Sequence, residues 1–211
     1  MDSYSKPEIK NDIVQGIIRG EYREQGLLTE RSLMDKYGVT KSTVRDALSE
    51  LRCENVLRSI PRYGYEIVTL TESEVRNILQ FRVMVECQSL PLVFERASQK
   101  ELSDLVEFMQ SLTPTEDQDV WDSWEDNSQF HLHLLMLSGN RYCYEQVQQS
   151  LSVLKRAYAQ FYWDKWRRMR FRFNNETHIR ITNALRNNDV PLASRLLEED
   201  ITSFGDAMTS D

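Results

Sequence analysis

Apolar residues in the first seventy positions recur at helical spacing in three short segments. The first segment is predicted to be a helix that ends near Gly20, and the second a helix that runs from an N-cap at Thr29 to Tyr37. Between them we expect Gly26-Leu27-Leu28 to form a turn. The third segment places its apolar side chains on one helical stripe, formed by Val44, Ala47, Leu48 and Leu51.

A polar face accompanies that stripe in the third segment. Gly38 can end the preceding helix, and Thr40 is suited to cap the next one. Long cations and small hydroxyls, which suit phosphates and base edges, follow at Lys41, Ser42, Thr43 and Arg45. Taken alone, the stretch is equally compatible with an ordinary amphipathic surface helix.

Two β-favouring runs change this interpretation. They cover residues 56–60 and 65–68, and Pro61-Arg62-Tyr63-Gly64 joins them, which predicts a hairpin with a basic tip. Three helices followed by a hairpin are typical of a winged helix-turn-helix. The third helix is then predicted to read DNA.

A second domain is predicted to begin at about residue 71. Thr71 and Glu74 have capping-box spacing before a helix to about Ala97, and Ser98 with Glu101 repeats the device. Further helices are expected at about 117–138, 141–163, 167–187 and 190–208. Because only five residues after position 70 are Gly or Pro, an all-α bundle is favoured. The predicted fold is therefore mainly α, with a winged helix-turn-helix at 1–70 and a helical domain at 71–211.

The net charge of −7 by itself argues against a nucleic-acid partner. However, residues 1–70 hold 11 basic and 11 acidic side chains, so all of the excess acid lies in the second domain. A DNA-binding domain without net charge predicts modest affinity per copy and favours a dimer on two half-sites. The absence of a long apolar run or leader and of CxxC pairs among three cysteines predicts a cytoplasmic protein with no membrane segment.

Residues 7–69 resemble the N-terminal domain of the GntR family of bacterial transcription regulators. The matching positions are Gly26 with Leu28, Glu30–Leu33, Tyr37–Leu51 and Gly64. Two positions depart from the family pattern: Lys41 replaces an arginine, which removes a bidentate fork, and Asn55 stands where the family has a glycine turn.

The resemblance implies a set of DNA contacts. Arg45 and Lys41 are assigned to base edges, whereas phosphate positioning is assigned to Arg31, Thr40, Ser42 and Thr43. The wing contributes Arg62 and Gly64.

Residues 74–205 resemble the FCD domain, the helical effector domain of the FadR subfamily. The similarity rests on Arg82-x-x-x-Glu86, on Phe130-His131 with Asn140, and on His178 followed by Ala184, Asp189 and Ala193. In that family a metal is often held by an aspartate and histidines. By position, the ligands here are Asn127, His131, His178 and Asp200.

Two of these ligands differ from the family type, since Asn127 offers a neutral oxygen and Asp200 replaces a histidine. Two imidazoles and a carboxylate can hold Zn²⁺, Ni²⁺, Mn²⁺ or Fe²⁺. His133 points away from His131, because two positions correspond to about 200° of helix. The alternative for each histidine is a polar residue of the helical core or of the surface, without a ligand.

The resemblance implies a non-enzymatic repressor that binds a palindromic operator as a homodimer and responds to a small organic or sugar acid. Arg82 is the cation expected to meet the carboxylate of that acid. An ion pair with Glu86, one turn later on the same helix, is an equally favoured role for Arg82. Two other functions remain open: a dimeric DNA-binding protein without an effector, and a metal-dependent enzyme fused to a DNA anchor.

Overall fold

The computed structural model describes residues 4–23, 26–112, 120–161 and 175–209, with side chains up to residue 203 in the last helix. The chain divides into two compact units. The first contains the chain up to Leu70 and the segment that begins at Arg156. The second contains Thr71–Lys155 and the C-terminal part of the chain.

Within the described residues, the N-terminal part of the first unit contains three helices and a hairpin: α1 Lys6–Ile18, α2 Glu30–Tyr37, α3 Lys41–Cys53, β1 Leu57–Ile60 and β2 Gly64–Ile67. Local chemistry sets the helix ends. The side chains of Thr29 and Thr40 accept hydrogen bonds from the backbone N–H groups of Ser32 and Thr43. Gly38 ends α2 in the left-handed conformation, with φ 65°. These caps fix the turn between α2 and α3.

The apolar stripe of α3 forms the centre of the N-terminal core. All four of its side chains are 0% exposed: Val44, Ala47, Leu48 and Leu51. They belong to one cluster with residues of α1 and α2, among them Ile9, Ile13, Leu33 and Tyr37. Burial of a large aliphatic side chain contributes about 1.5–3 kcal/mol. The stripe therefore holds α3 firmly, with its polar face turned outwards.

The wing is a two-stranded antiparallel sheet in which Leu57 pairs with Ile67 and Ile60 with Gly64. The predicted turn at residues 26–28 is only partly correct. Leu28 forms an antiparallel bridge with Tyr65, in which each backbone N–H donates to the other residue's carbonyl at 2.8 Å. Gly26 has the left-handed backbone of a turn, with φ 64°, whereas Leu28 pairs with β2 through this isolated bridge.

The remaining helices are α4 Glu72–Arg96, α5 Gln99–Ser111, α6 Val120–Leu137, α7 Arg141–Phe161, α8 Asn175–Arg186 and α9 Val190–Thr209. Both predicted capping boxes are formed, with Thr71 and Ser98 as the N-caps. In the second unit, α4 packs against α6 and α9, while α8 packs against α5 and α9. This arrangement brings residues from α4, α6, α8 and α9 into one interior.

The predicted mainly-α fold with an N-terminal wing is confirmed. The predicted helix starts at 117 and 167 lie outside the described residues. The domain limits of 1–70 and 71–211 remain a prediction, and the compact units differ from them in grouping the last turns of α7 with the first unit. No helix of the described segments has the length and hydropathy needed to cross a membrane.

Candidate functional site

The first candidate site is the exposed face at the start of α3. Lys41, Ser42 and Arg45 are exposed, and the Thr40 hydroxyl lies 2.8 Å from the Ser42 hydroxyl and 3.0 Å from that of Thr43. Free amides and the helix dipole favour anions at such a helix start. The clustered hydroxyls therefore form a helix start suited to a phosphate, with exposed cations on the same helix. Arg31, in the first turn of α2, is also exposed.

An acidic residue that sequence analysis did not assign to this face pairs with its two longest cations. Glu30, the first residue of α2, accepts a hydrogen bond from Arg45 Nε at 2.7 Å and lies 3.4 Å from Lys41 Nζ. The hydrogen bond from Arg45 is the main reason that the pKa of Glu30 is lowered. Because Glu30 is close to these cations only in the folded chain, sequence spacing gave no signal of the contact.

The wing residues have distinct roles in the structure. Arg62, at the exposed tip, has a φ of 70°, which is uncommon for a side chain other than Gly or Asn. Gly64 has a φ of 136°, and a Cβ atom there would lie 2.4 Å from the carbonyl oxygen of Leu28. The glycine is therefore required by the Leu28 bridge, independently of any contact with DNA.

The N-cap of α3 gives a first testable prediction. Replacing Thr40 by alanine leaves the backbone N–H of Thr43 without its acceptor and is expected to lower the free energy of unfolding by about 1 kcal/mol. Urea titration measures this change. Thr69→Ala is the control, because Thr69 is exposed and outside any helix, and its effect should stay within about 0.5 kcal/mol. Equal losses in both variants would contradict a capping role.

The second candidate site lies inside the helical unit. His131 of α6, His178 of α8 and Asp200 of α9 each offer a ligand atom, and these atoms lie within 4.8 Å of one another. Asp200 Oδ2 is 3.2 Å from His131 Nε2 and 3.4 Å from His178 Nε2. Both histidines are buried, with exposures of 1% and 0%. Three of the four predicted metal ligands therefore converge.

A second layer of side chains holds this cluster. Glu86 accepts from His131 Nδ1 at 2.7 Å and from Arg82 Nε at 2.7 Å, and all three residues are buried. The ring of Phe130 stacks on that of His178, with centroids 4.0 Å apart. Because Glu86 occupies Nδ1 of His131, the Nε2 atom is the nitrogen left to face Asp200.

The charges of the cluster follow from burial and neighbours. Burial is the largest influence on His178 and lowers its pKa, so the ring stays neutral with a free lone pair. Burial opposes the charged forms of Glu86 and Asp200, but nearby cations and hydrogen bonds outweigh it and lower the pKa of both carboxyls. Burial is the largest influence on His131 and acts to lower its pKa, but the charge of Glu86 and the hydrogen bonds to Asp200 and Glu86 together outweigh it and raise the pKa. The site thus combines anionic oxygens with at least one neutral imidazole.

The other two residues predicted for the helical site, Asn127 and Arg82, lie at or near this cluster. Asn127 is buried on α6, one helical turn before His131. Arg82 forms the predicted alternative, an ion pair with Glu86 one turn later. His133 is separate, since its ring packs edge-on against Phe108 at 5.1 Å. The role of Glu86 as the acceptor for His131 was not predicted, because the hydrogen bond joins two helices, α4 and α6, that are far apart in the sequence.

The donor set fits a divalent metal. Both ring nitrogens of His178 are buried and make no hydrogen bond within the described residues, although Asp200 is close. A buried polar atom without a partner is costly, and a metal ion between His131, His178 and Asp200 would satisfy the Nε2 atom of His178. The Nη2 atom of Arg82 is likewise buried without a hydrogen-bond partner among the described residues. An acidic ligand would satisfy it.

A winged helix-turn-helix joined to a helical unit with an internal polar cluster defines a DNA-binding protein with a separate sensor domain. The family model of bacterial regulatory proteins of the gntR family matches residues 6–67, and that of the FCD domain matches residues 77–203. The chain belongs to the GntR family, with an FCD domain behind its DNA-binding domain.

Relatives with names agree with this assignment. The HTH-type transcriptional repressor GlaR of Escherichia coli K12 is 25% identical over 90% of this chain and 88% of its own length. The uncharacterized regulator YdhC of Bacillus subtilis 168 is 27% identical over 63% of this chain, and the match spans 60% of YdhC. The solved structure of E. coli McbR/YncC superposes with a TM-score of 0.69 over 96% of both chains at 18% identity, which supports the fold alone.

Proposed function

We propose that this protein is a dimeric transcriptional repressor whose affinity for DNA is changed by a small organic acid. The observation that supports the sensing role is the buried Arg82 beside the histidine cluster, with its Nη2 atom lacking a hydrogen-bond partner among the described residues. Repression, rather than activation, is supported by the relative GlaR, which is named as a repressor. The site of action is the cytoplasm, where operator DNA lies.

The winged domain, residues 1–70, would bind one half of a palindromic operator. Arg45 and Lys41 would meet base edges, while Arg31 and the hydroxyls at the start of α3 would hold phosphates. Arg62 and Gly64 would bring the wing to the DNA backbone. Because this domain has no net charge, useful affinity would come from two copies joined through the helical domain, residues 71–211.

The helical domain would hold a divalent metal through His131, His178 and Asp200, with Asn127 as a neutral fourth ligand. Zn²⁺, Ni²⁺, Mn²⁺ and Fe²⁺ suit two imidazoles and a carboxylate. The bound metal would supply a positive centre for the carboxylate of an organic or sugar acid. Arg82 would add a charge-assisted hydrogen bond from Nη2 while its Nε stays with Glu86.

Ligand binding would reach the DNA by changing the separation of the two reading helices. The two half-sites of an operator lie about 34–36 Å apart, so a small shift between copies costs contacts on one half-site. The acid and the operator would then oppose each other through a coupling free energy that acts equally in both directions. In this mechanism His131, His178 and Asp200 would hold a metal that supplies a binding point for the acid, without turnover of the acid.

A thermal-shift screen of organic and sugar acids, with and without NiCl₂ or ZnCl₂ on untagged protein, tests the proposal. A ligand at 100 times its Kd stabilises the folded state by about 2.7 kcal/mol, which corresponds to roughly 5–10 °C for a protein of this size. The Arg82→Lys variant should keep the rise in melting temperature caused by the metal. It should lose most of the rise caused by the acid, because lysine lacks the forked donors of a guanidinium.

Arg141→Lys is the matched control. Arg141 also pairs with a glutamate one turn later, Glu145, but is exposed on α7. The Arg141→Lys variant should keep the rises in melting temperature caused by the metal and by the acid. An acid shift that survives in Arg82→Lys would contradict the proposed acid site, and consumption of the acid would indicate an enzyme instead.

A further inference from the structure

Glu30 lies between the two cations that are proposed to read base edges. Its two carboxylate oxygens are divided between them: Oε1 lies 2.7 Å from Arg45 Nε, and Oε2 lies 3.4 Å from Lys41 Nζ. The Glu30 side chain is only 22% exposed, whereas those of Arg45 and Lys41 are 60% and 58% exposed. A mostly buried acid therefore contacts two exposed cations, Arg45 through Nε and Lys41 through Nζ.

The contact determines which donors of Arg45 are available. A guanidinium can offer a pair of N–H groups either from its two Nη atoms or from Nε with one Nη. Glu30 occupies Nε, and neither Nη atom of Arg45 makes a hydrogen bond within the described residues. Only the end-on pair is complete, and it matches the O6 and N7 acceptors of guanine.

We infer that Glu30 is a positioning residue that gives the reading helix its sequence selectivity. This inference rests on the proposed DNA-binding function. Glu30 fixes the plane of the Arg45 guanidinium before DNA arrives, so less side-chain freedom is lost when the correct base is met. Its negative charge also weakens the attraction of this face to any phosphate, whatever the sequence.

These two effects have opposite consequences for the two kinds of binding. Removing Glu30 should weaken binding to the preferred sequence relative to other sequences, because Arg45 is no longer oriented. Binding to unrelated DNA should stay the same or become tighter, because one negative charge is lost. An ion pair that only stabilises the fold would not separate the two affinities.

The test uses the full chain and a duplex library with a random core of about 20 bp, the length of two half-sites. Selection with the wild-type protein gives a preferred duplex, and a shuffled duplex of the same composition serves as unrelated DNA. Fluorescence anisotropy at one fixed salt concentration then gives both Kd values for each variant. Circular dichroism and melting curves check that each variant folds.

Glu30→Ala is expected to lower the ratio of preferred to unrelated affinity by about fivefold, the effect of ordering one long side chain. Glu30→Gln should give a ratio between those of the wild type and Glu30→Ala, since its amide oxygen can still accept a hydrogen bond from Arg45. If Glu30→Ala does not fold, Glu30→Gln is the variant used for the test. Asp35→Asn is the charge-matched control: Asp35 is exposed on α2 and contacts neither cation, so the ratio should not change.

An unchanged ratio in the Glu30 variants overturns the inference, as does an equal loss of both affinities, which indicates a structural role. An equal gain in both affinities also overturns it, because Glu30 would then only block DNA. If the wild-type protein selects no preferred duplex, the proposed function fails and the inference fails with it. That outcome is distinct, because it is seen before any variant is made.

Discussion

Replacing His178 by alanine is expected to weaken the binding of Ni²⁺ or Zn²⁺ by more than about 100-fold, beyond the range typical of outer-shell partners. The imidazole is 0% exposed, and its ring nitrogens make no hydrogen bond within the described residues. Burial lowers its pKa, so the ring is neutral and able to bind a metal near pH 7. Isothermal titration calorimetry of untagged protein measures the change.

His133→Ala is the control for this prediction. His133 lies on the same helix as His131 but packs against Phe108, so its removal should leave metal affinity within about twofold of wild type. Because His178→Ala also removes the stacking partner of Phe130, Asp200→Asn provides a second variant that keeps the side-chain shape. Wild-type affinity in both ligand variants would refute the metal site.

Glu86 allows a graded form of the same test. Its carboxylate accepts from His131 Nδ1 and would orient the ring toward a metal without touching the ion. Glu86→Gln should therefore weaken metal binding by about 10- to 100-fold, less than removal of His178. A loss as large as that of His178→Ala would instead indicate that the variant has disturbed the packing around Arg82.

The N-terminal fold could be predicted because its signals are local. Thr29 and Thr40 cap helices only a few positions away, Gly38 ends α2, and Asn55 adopts the left-handed conformation expected at a turn, with φ 52°. The bridge between Leu28 and Tyr65 could not be read in the same way. It joins two segments that are far apart in the sequence, and no spacing in the sequence reports that contact.

The helical site shows the same limit more strongly. Spacing places Asn127 and His131 on one helix, but it cannot bring α8 and α9 to that helix, so His178 and Asp200 were assigned by resemblance to a family. Glu86 was noted as the partner of Arg82, yet its hydrogen bond to His131 crosses from α4 to α6. Such contacts depend on how helices pack, which periodicity leaves undetermined.

Replacing Arg45 by alanine is expected to lower the affinity for the preferred duplex by about 10- to 100-fold relative to a shuffled duplex. This range lies within the discrimination of about 1–3 kcal/mol that a bidentate arginine gives at one base pair. Arg45 is the stronger candidate for base reading, because Lys41 has only a point charge and no fork. Anisotropy titrations with both duplexes at one salt concentration measure the ratio.

Arg52→Ala is the control for Arg45→Ala, since Arg52 is exposed on the same helix and its replacement removes the same charge. Arg52 is not assigned to a base edge, and a cation that meets only phosphates supports all sequences alike, so the loss of Arg52 should leave the ratio of the two affinities unchanged. If Arg45→Ala behaves in the same way, Arg45 is a phosphate contact. Base selection would then rest on Lys41 and the wing, and positioning of Arg45 by Glu30 would not govern selectivity.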